Sequence, residues 1–253
     1  MKLSKRLISI LLVLTLFALC SCGKAEQGEN TSAATSAQTT AVSLPSADSD
    51  DSTQEYTDGV DFRKYTSVND EVYAFIKIPG TNIEYPIVQS GIDDNYYLDR
   101  DWKRNKSETG SIFTQSANAR EFTDPITVVY GHNTYKGDMF SELLKYQDKN
   151  FFDKNELFYI FIPGHILVYR VFSAHTYDDR HILNSYDFSA PGVLQSFQQS
   201  LLNPDSMEKN VREGVTLNEW SEVVVLSTCA EARSNSNVRY LVNGVLIKDV
   251  LTV

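Results

Sequence analysis

The sequence predicts a mainly β fold, a barrel or sandwich carrying a few helices. Two observations lead there. Past residue 57 the chain breaks into short runs rich in Val, Ile, Phe and Tyr, and Pro, Gly and polar residues separate them at close intervals. The runs are Ala74–Ile78, Tyr85–Gln89, Gly110–Phe113, Ile126–Tyr130, Leu157–Ile162, His165–Ser173, Glu222–Ser227 and Val238–Ile247. Pro79-Gly80 and Pro163-Gly164 are turn signals between them. Apolar residues three and four apart predict helices over Asp61–Glu71, Met139–Lys145 and Gly192–Leu202.

The N-terminal part has a different character. Residues 1–23 place Lys2, Lys5 and Arg6 ahead of an apolar stretch from Leu7 to Leu19, the layout of an export signal. Leu19-Cys20-Ser21-Cys22 resembles a bacterial lipobox, which would make Cys22 the lipidated N-terminus, and an uncleaved signal anchor is the alternative. Either reading predicts that the rest of the chain lies outside the membrane and is held there by its N-terminus. Residues 24–57 are Ser, Thr, Ala, Gln and acidic residues with Leu44 and Tyr56 as isolated large apolar groups, so they predict a disordered tether. Residues 58–253 remain, a length that suits one domain.

The chain of 253 residues has 23 Lys and Arg against 33 Asp and Glu, a net charge of −10. No basic run stands out against that background, which argues against nucleic acid as a partner. Two of the three cysteines, Cys20 and Cys22, lie in the export segment, leaving Cys229 alone in the domain and no disulfide framework.

Cys229 ends the apolar run Val223-Val224-Val225-Leu226-Ser227-Thr228, just before a polar stretch. Strand alternation puts Val223, Val225, Ser227 and Cys229 on one face. A cysteine at a strand end can serve as a nucleophile or as a small buried hydrophobe. A thiol nucleophile needs a proton partner. Among His132, His165, His175 and His181, His132 stands at a comparable strand end, after Ile126–Tyr130 and Gly131. His175 and His181 fall in a polar loop, and a surface turn is the plain alternative for His132. Paired His and Cys spacings of a zinc motif are missing, so no metal site is expected. Arg239, ten positions beyond Cys229 (239 − 229), opens the next apolar run. If the two strands form a hairpin, its guanidinium returns beside the thiol, where it would stabilise an oxyanion; an arginine facing water is the alternative.

Val129-Tyr130-Gly131-His132-Asn133 and Leu226-Ser227-Thr228-Cys229 with Arg239 resemble the signature segments of the sortase family. Ile83–Gln89, Asn95–Leu98, Gly110–Phe113 and Gly137–Phe140 resemble class B sortases in particular, and the segment from Ser173 to Trp220 resembles their helix-bearing insertion. The resemblance implies an eight-stranded β-barrel with peripheral helices and a cysteine transpeptidase without a cofactor. It implies Cys229 as nucleophile, His132 as proton carrier and Arg239 as electrostatic partner. Its substrates would be secreted proteins with a C-terminal sorting signal of the Asn/Ser/Pro-Pro-x-Thr-x kind, cleaved after Thr and joined to an amine of peptidoglycan or its lipid-linked precursor; in the absence of that amine the enzyme would hydrolyse. Val88, Tyr177, Leu183, Ser227 and Thr228 are the expected contacts to the signal. The chain departs from its relatives directly after the cysteine, where Ala230 stands in place of an acidic residue and Glu231 follows. A secreted cysteine peptidase and a non-catalytic lipoprotein on the same barrel are the competing readings.

Overall fold

A computed structural model describes residues 59–232 and 237–252. The export segment, the tether, Cys20, Cys22 and Arg233 lie outside the described residues.

Nine strands form the sheet: β1 (Val72–Lys77), β2 (Glu84–Val88), β3 (Ile112–Phe113), β4 (Ile126–Tyr130), β5 (Leu157–Ile162), β6 (His165–Asp178), β7 (Lys209–Val211), β8 (Val223–Cys229) and β9 (Val238–Leu251). Their order is β5-β1-β2-β3-β4-β8-β9-β6-β7, and β5 also pairs with β6. That second pairing closes eight strands into a barrel and removes their free edges. The long β6 makes closure possible, because β5 pairs with its first half, from His165 to Arg170, and β7 with Ser173–His175. The expected eight-stranded barrel is borne out.

Side-chain alternation sorts the strands into two environments. Ala74, Ile76, Ile87, Ile112, Val129, Phe158, Ile160, Tyr169, Val224, Leu226, Tyr240 and Val242 belong to one buried cluster to which all eight barrel strands contribute, which makes it the barrel interior. Each such aliphatic side chain contributes roughly 1.5–3 kcal/mol by leaving water. The opposite faces of β4, β8 and β9 give Ile126, Val128, Val223, Val225 and Leu241 to a second cluster, covered by the helical insertion.

Among the described residues four helices are peripheral: α1 (Arg63–Thr66), α2 (Lys149–Lys154), α3 (Ile182–Ser185) and α4 (Val193–Leu202), with 3₁₀ turns at Tyr96–Leu98 and Ser141–Gln147. In α4 the residues Leu194, Phe197, Gln198 and Leu201 are buried, the i, i+3, i+4, i+7 stripe that the sequence predicts. The other expected helices shift. Asp61–Glu71 contracts to the single turn α1, because Asn69 turns inward to donate to Tyr97 Oη (2.7 Å) and the Trp102 carbonyl (2.6 Å). Met139–Lys145 becomes the later 3₁₀ turn. β6 runs five residues past the expected Ser173 (178 − 173), so His175 lies in a strand and is buried, not in a polar loop.

Candidate active site

β4 and β8 run parallel, in register from Ile126 opposite Val223 to Tyr130 opposite Ser227. Gly131 N then donates to the Ser227 carbonyl (3.1 Å). His132 and Cys229 are each two residues past that last row, so both stand at the same rim of the sheet. β9 returns antiparallel and places Arg239 opposite Cys229, and β6 places Tyr177 opposite Arg239. Directly opposed residues share a face, so Tyr177, Arg239 and Cys229 form one row on the outer face of the barrel. Within it Arg239 Nη1 donates to Cys229 Sγ at 3.6 Å. The hairpin expectation for Arg239 is met, and a fixed cation stands beside the sulfur.

His132 is held from the other side of the cleft. Its Nε2 lies 2.8 Å from the Leu98 carbonyl. A carbonyl only accepts, so in the neutral ring Nε2 carries the hydrogen and Nδ1 does not. The approach is close. A Cβ at Gly110, whose φ is +56°, would lie 2.6 Å from the Leu98 carbonyl oxygen and 3.0 Å from His132 Cδ2. At Gly131 a Cβ would meet Ile112 Cδ1 at 2.5 Å and the Phe140 ring at 2.7 Å. Both positions therefore require glycine. The Leu98 turn is braced from behind, where Tyr97 Oη donates to Glu71 Oε2 (2.5 Å) and Arg104 pairs with Asp70 (2.7 Å) and Glu71 (3.3 Å). Burial, helped by the neighbouring Glu71 carboxylate, pushes the Tyr97 hydroxyl up to about 12, keeping it a donor.

Cys229, His132 and Arg239 line a cavity of about 190 Å³, with Asn95, Leu98 and Phe113 on one wall and Tyr177, Arg180, His181 and Ile182 on the other. Tyr177 Oη is 3.2 Å from Tyr186 Oη, to which Arg180 Nη1 donates (2.8 Å). Arg180 also pairs with Asp178 (2.9 Å), so the insertion wall is cross-linked by polar contacts. Tyr130 forms part of the floor, stacked on Phe113 with ring centroids 5.4 Å apart. Burial raises the Tyr130 hydroxyl above its ordinary range.

The structure thus brings together His132, Cys229, Arg239, Tyr177, Ser227 and Thr228 of the residues singled out in the sequence. Two others do not line that cavity. Val88 is fully buried against Tyr97, Phe113 and Val72, because the last residue of β2 faces under the Tyr97 turn. Leu183 packs against the cluster beneath the insertion, while its neighbour Ile182 lines the cavity. Tyr177 lines the cavity from the end of β6, not from a loop. The Leu98 carbonyl, Asn95 and Tyr130 also belong to the site and are not singled out by the sequence as individual groups. Leu98 and Asn95 stand in the quoted segment Asn95–Leu98, but nothing in the residue type of a leucine announces a carbonyl that orients a histidine.

A family model described as Sortase domain matches residues 76–247. Sortase B of Listeria monocytogenes is 28% identical over 191 residues, covering 74% of each chain, and Sortase B of Staphylococcus aureus is 27% identical over 189 residues, covering 74% of this chain and 75% of that one. Among solved structures, a Staphylococcus aureus sortase B–substrate complex superposes with a TM-score of 0.64 at 26% identity, over 74% of this chain and 84% of that one. Sortase B from Bacillus anthracis in complex with AAEK1 gives 0.64 at 30% identity, with the same coverage. The class B resemblance read from the motifs is borne out.

Proposed function

The chain belongs to the sortase family, and on that premise we propose that it cleaves a sorting signal in secreted proteins after threonine and transfers the acyl group to a cell-wall amine. The observation that carries the reading is the 3.6 Å contact between Arg239 Nη1 and Cys229 Sγ in a cleft that His132 also lines.

In the proposed cycle the Cys229 thiolate attacks the threonine carbonyl carbon, and Arg239 stabilises the oxyanion that forms. The C–N bond breaks as His132 Nδ1–H protonates the departing amine, leaving a thioester and a neutral imidazole. An incoming amine attacks the thioester, His132 Nδ1 takes its proton, and the C–S bond breaks to return the thiolate. Water in place of the amine gives hydrolysis. The Leu98 carbonyl keeps His132 in one tautomer through both halves, a task a carboxylate performs in other triads. Tyr177, Ser227 and Thr228 are proposed to contact the signal, and a peptidoglycan cross-bridge or its lipid-linked precursor to supply the amine. The N-terminal segment is proposed to hold the domain at the outer face of the membrane, through lipid on Cys22 or as an uncleaved anchor.

Incubation with a fluorogenic peptide of the Asn-Pro-x-Thr type, with and without an amine acceptor, tests the reaction. Cleavage in both arms and a ligated product in one are expected; a hydrolysed product in both arms marks a peptidase, and no cleavage marks a binding module. Metabolic labelling with a fatty-acid analogue tests the attachment, since lipidation requires a signal in the wild type that Cys22→Ala loses. Labelling of neither protein points to the uncleaved anchor.

A further inference from the structure

In the parallel pairing of β4 with β8, Gly131 N donates to the Ser227 carbonyl (3.1 Å), and the next rung of such a ladder would run from the backbone N of residue 133 to the Cys229 carbonyl. The chain does not supply that rung from its backbone. After Gly131 it turns away, Asn133 bridges to Met139, and Phe140 N donates to the His132 carbonyl (2.9 Å). The Asn133 side chain takes the vacant rung instead, with Nδ2 donating to the Cys229 carbonyl at 3.0 Å.

We propose that Asn133 is a positioning residue for the transpeptidation chemistry: its amide completes the ladder and fixes the register between the nucleophile Cys229 and the proton carrier His132. This rests on the transpeptidase reading above. The backbone pairing of β4 with β8 stops two residues short of both reactive side chains, so their separation depends on what joins the two strand ends. The Asn133 amide joins the residue next to His132 directly to Cys229, from the side opposite Arg239. Residue type matters, because the position needs a donor on a two-carbon stem, and a carboxylate of the same shape offers only acceptors.

The test compares Asn133→Asp, which keeps the shape and removes the donor, with Asn133→Ala and Asn133→Gln. Two readouts are used: peptide turnover, and the pH dependence of Cys229 alkylation by iodoacetamide in the full protein. Asn133→Asp and Asn133→Ala are expected to lower kcat by ~10- to 100-fold while KM stays within ~3-fold, since orientation is lost and the cleft walls are kept. Asn133→Gln is expected to recover part of the loss. The alkylation midpoint is expected to move to higher pH in Asn133→Asp, where a carboxylate beside the cysteine disfavours the thiolate, and by less in Asn133→Ala. A merely structural role would reduce activity in step with the folded fraction and leave the Asn133→Ala midpoint in place, and that result overturns the proposal. So does a kcat within ~3-fold of wild type in both variants. If wild type cleaves no sorting peptide, the transpeptidase reading fails, while the alkylation midpoints still decide what Asn133 does to Cys229.

Discussion

The two rims of the barrel carry similar residue types and differ in what those residues are paired with. At the rim opposite the cleft, a cavity of about 620 Å³ is lined by Arg120, His165, Glu222 and Asp249 among apolar residues. There His165 Nδ1 pairs with Asp249 (2.8 Å), and Arg120 donates to the side chain and backbone of Gln89 (both 3.0 Å). Burial raises the Glu222 carboxyl, as does the nearby Asp249. At the cleft rim the histidine is held by a neutral carbonyl and the arginine donates to sulfur. A histidine bonded to a carbonyl keeps a defined tautomer while its second nitrogen remains available. On the proposed reading, partnership more than composition separates the two rims.

The contrast can be broken most forcefully at the cleft. Cys229→Ala is expected to abolish turnover, and His132→Ala to lower it by ~10³-fold or more, with little further loss in the double variant because the two act as a unit. Removal of Arg239 as Ala should cost ~100- to 1000-fold in kcat, and Lys should rescue it poorly because an ammonium lacks the planar fork of donors. Arg233→Ala, in contrast, should stay within roughly a few fold of wild type. Kinetics on one peptide check all of these, and a large loss at Arg233 with none at Arg239 would mean that the electrostatic partner had been misassigned. At the opposite rim, Asp249→Asn should leave turnover within ~3-fold. The side chains of His165 and Asp249 are 36% and 46% exposed, so breaking their pair should cost no more than ~1 kcal/mol in a denaturant melt. A drop in turnover like that of Arg239→Ala would erase the distinction between the rims.

Much of the cleft is legible in the sequence because strand ends are. Val223–Thr228 alternates faces and stops at a polar stretch, which fixes both where Cys229 sits and which side it presents. The return of Arg239 follows from the hairpin alone. β7 is not legible, since Lys209-Asn210-Val211 is a three-residue strand with no apolar alternation, recruited by the free half-edge of β6. α2 is announced only by its cap, Asp148, whose carboxylate accepts from the backbone N of Asn150 (2.7 Å) and Phe151 (3.2 Å). Val88 misleads because its outward position on β2 is roofed by Tyr97, a contact that depends on a distant turn. The Leu98 carbonyl is invisible to any reading by side chain.

A third histidine sharpens the comparison with a smaller effect. His175 shares a row with Leu241 and Ser227, one step below the cleft, and is buried with Nε2 unpaired. Burial holds its pKa below the ordinary 6.5, and Lys209 adds to this against the opposing bond to the Thr176 carbonyl. The unfolded chain therefore binds the proton first. Stability present above about pH 6.5 is lost as pH falls from there toward the folded-state pKa. Urea melts between pH 7.5 and 5 should show this slope in wild type and a shallower one in His175→Phe; equal slopes would remove His175 from the account.

The central claim is that Cys229 carries the acyl group between the two amines. Intact-protein mass spectrometry after mixing with a sorting peptide addresses it directly. The account predicts an adduct of the cleaved peptide's mass on wild type, absent from Cys229→Ala and discharged when an amine acceptor is added. An adduct that persists in Cys229→Ala, or turnover by that variant, would contradict it.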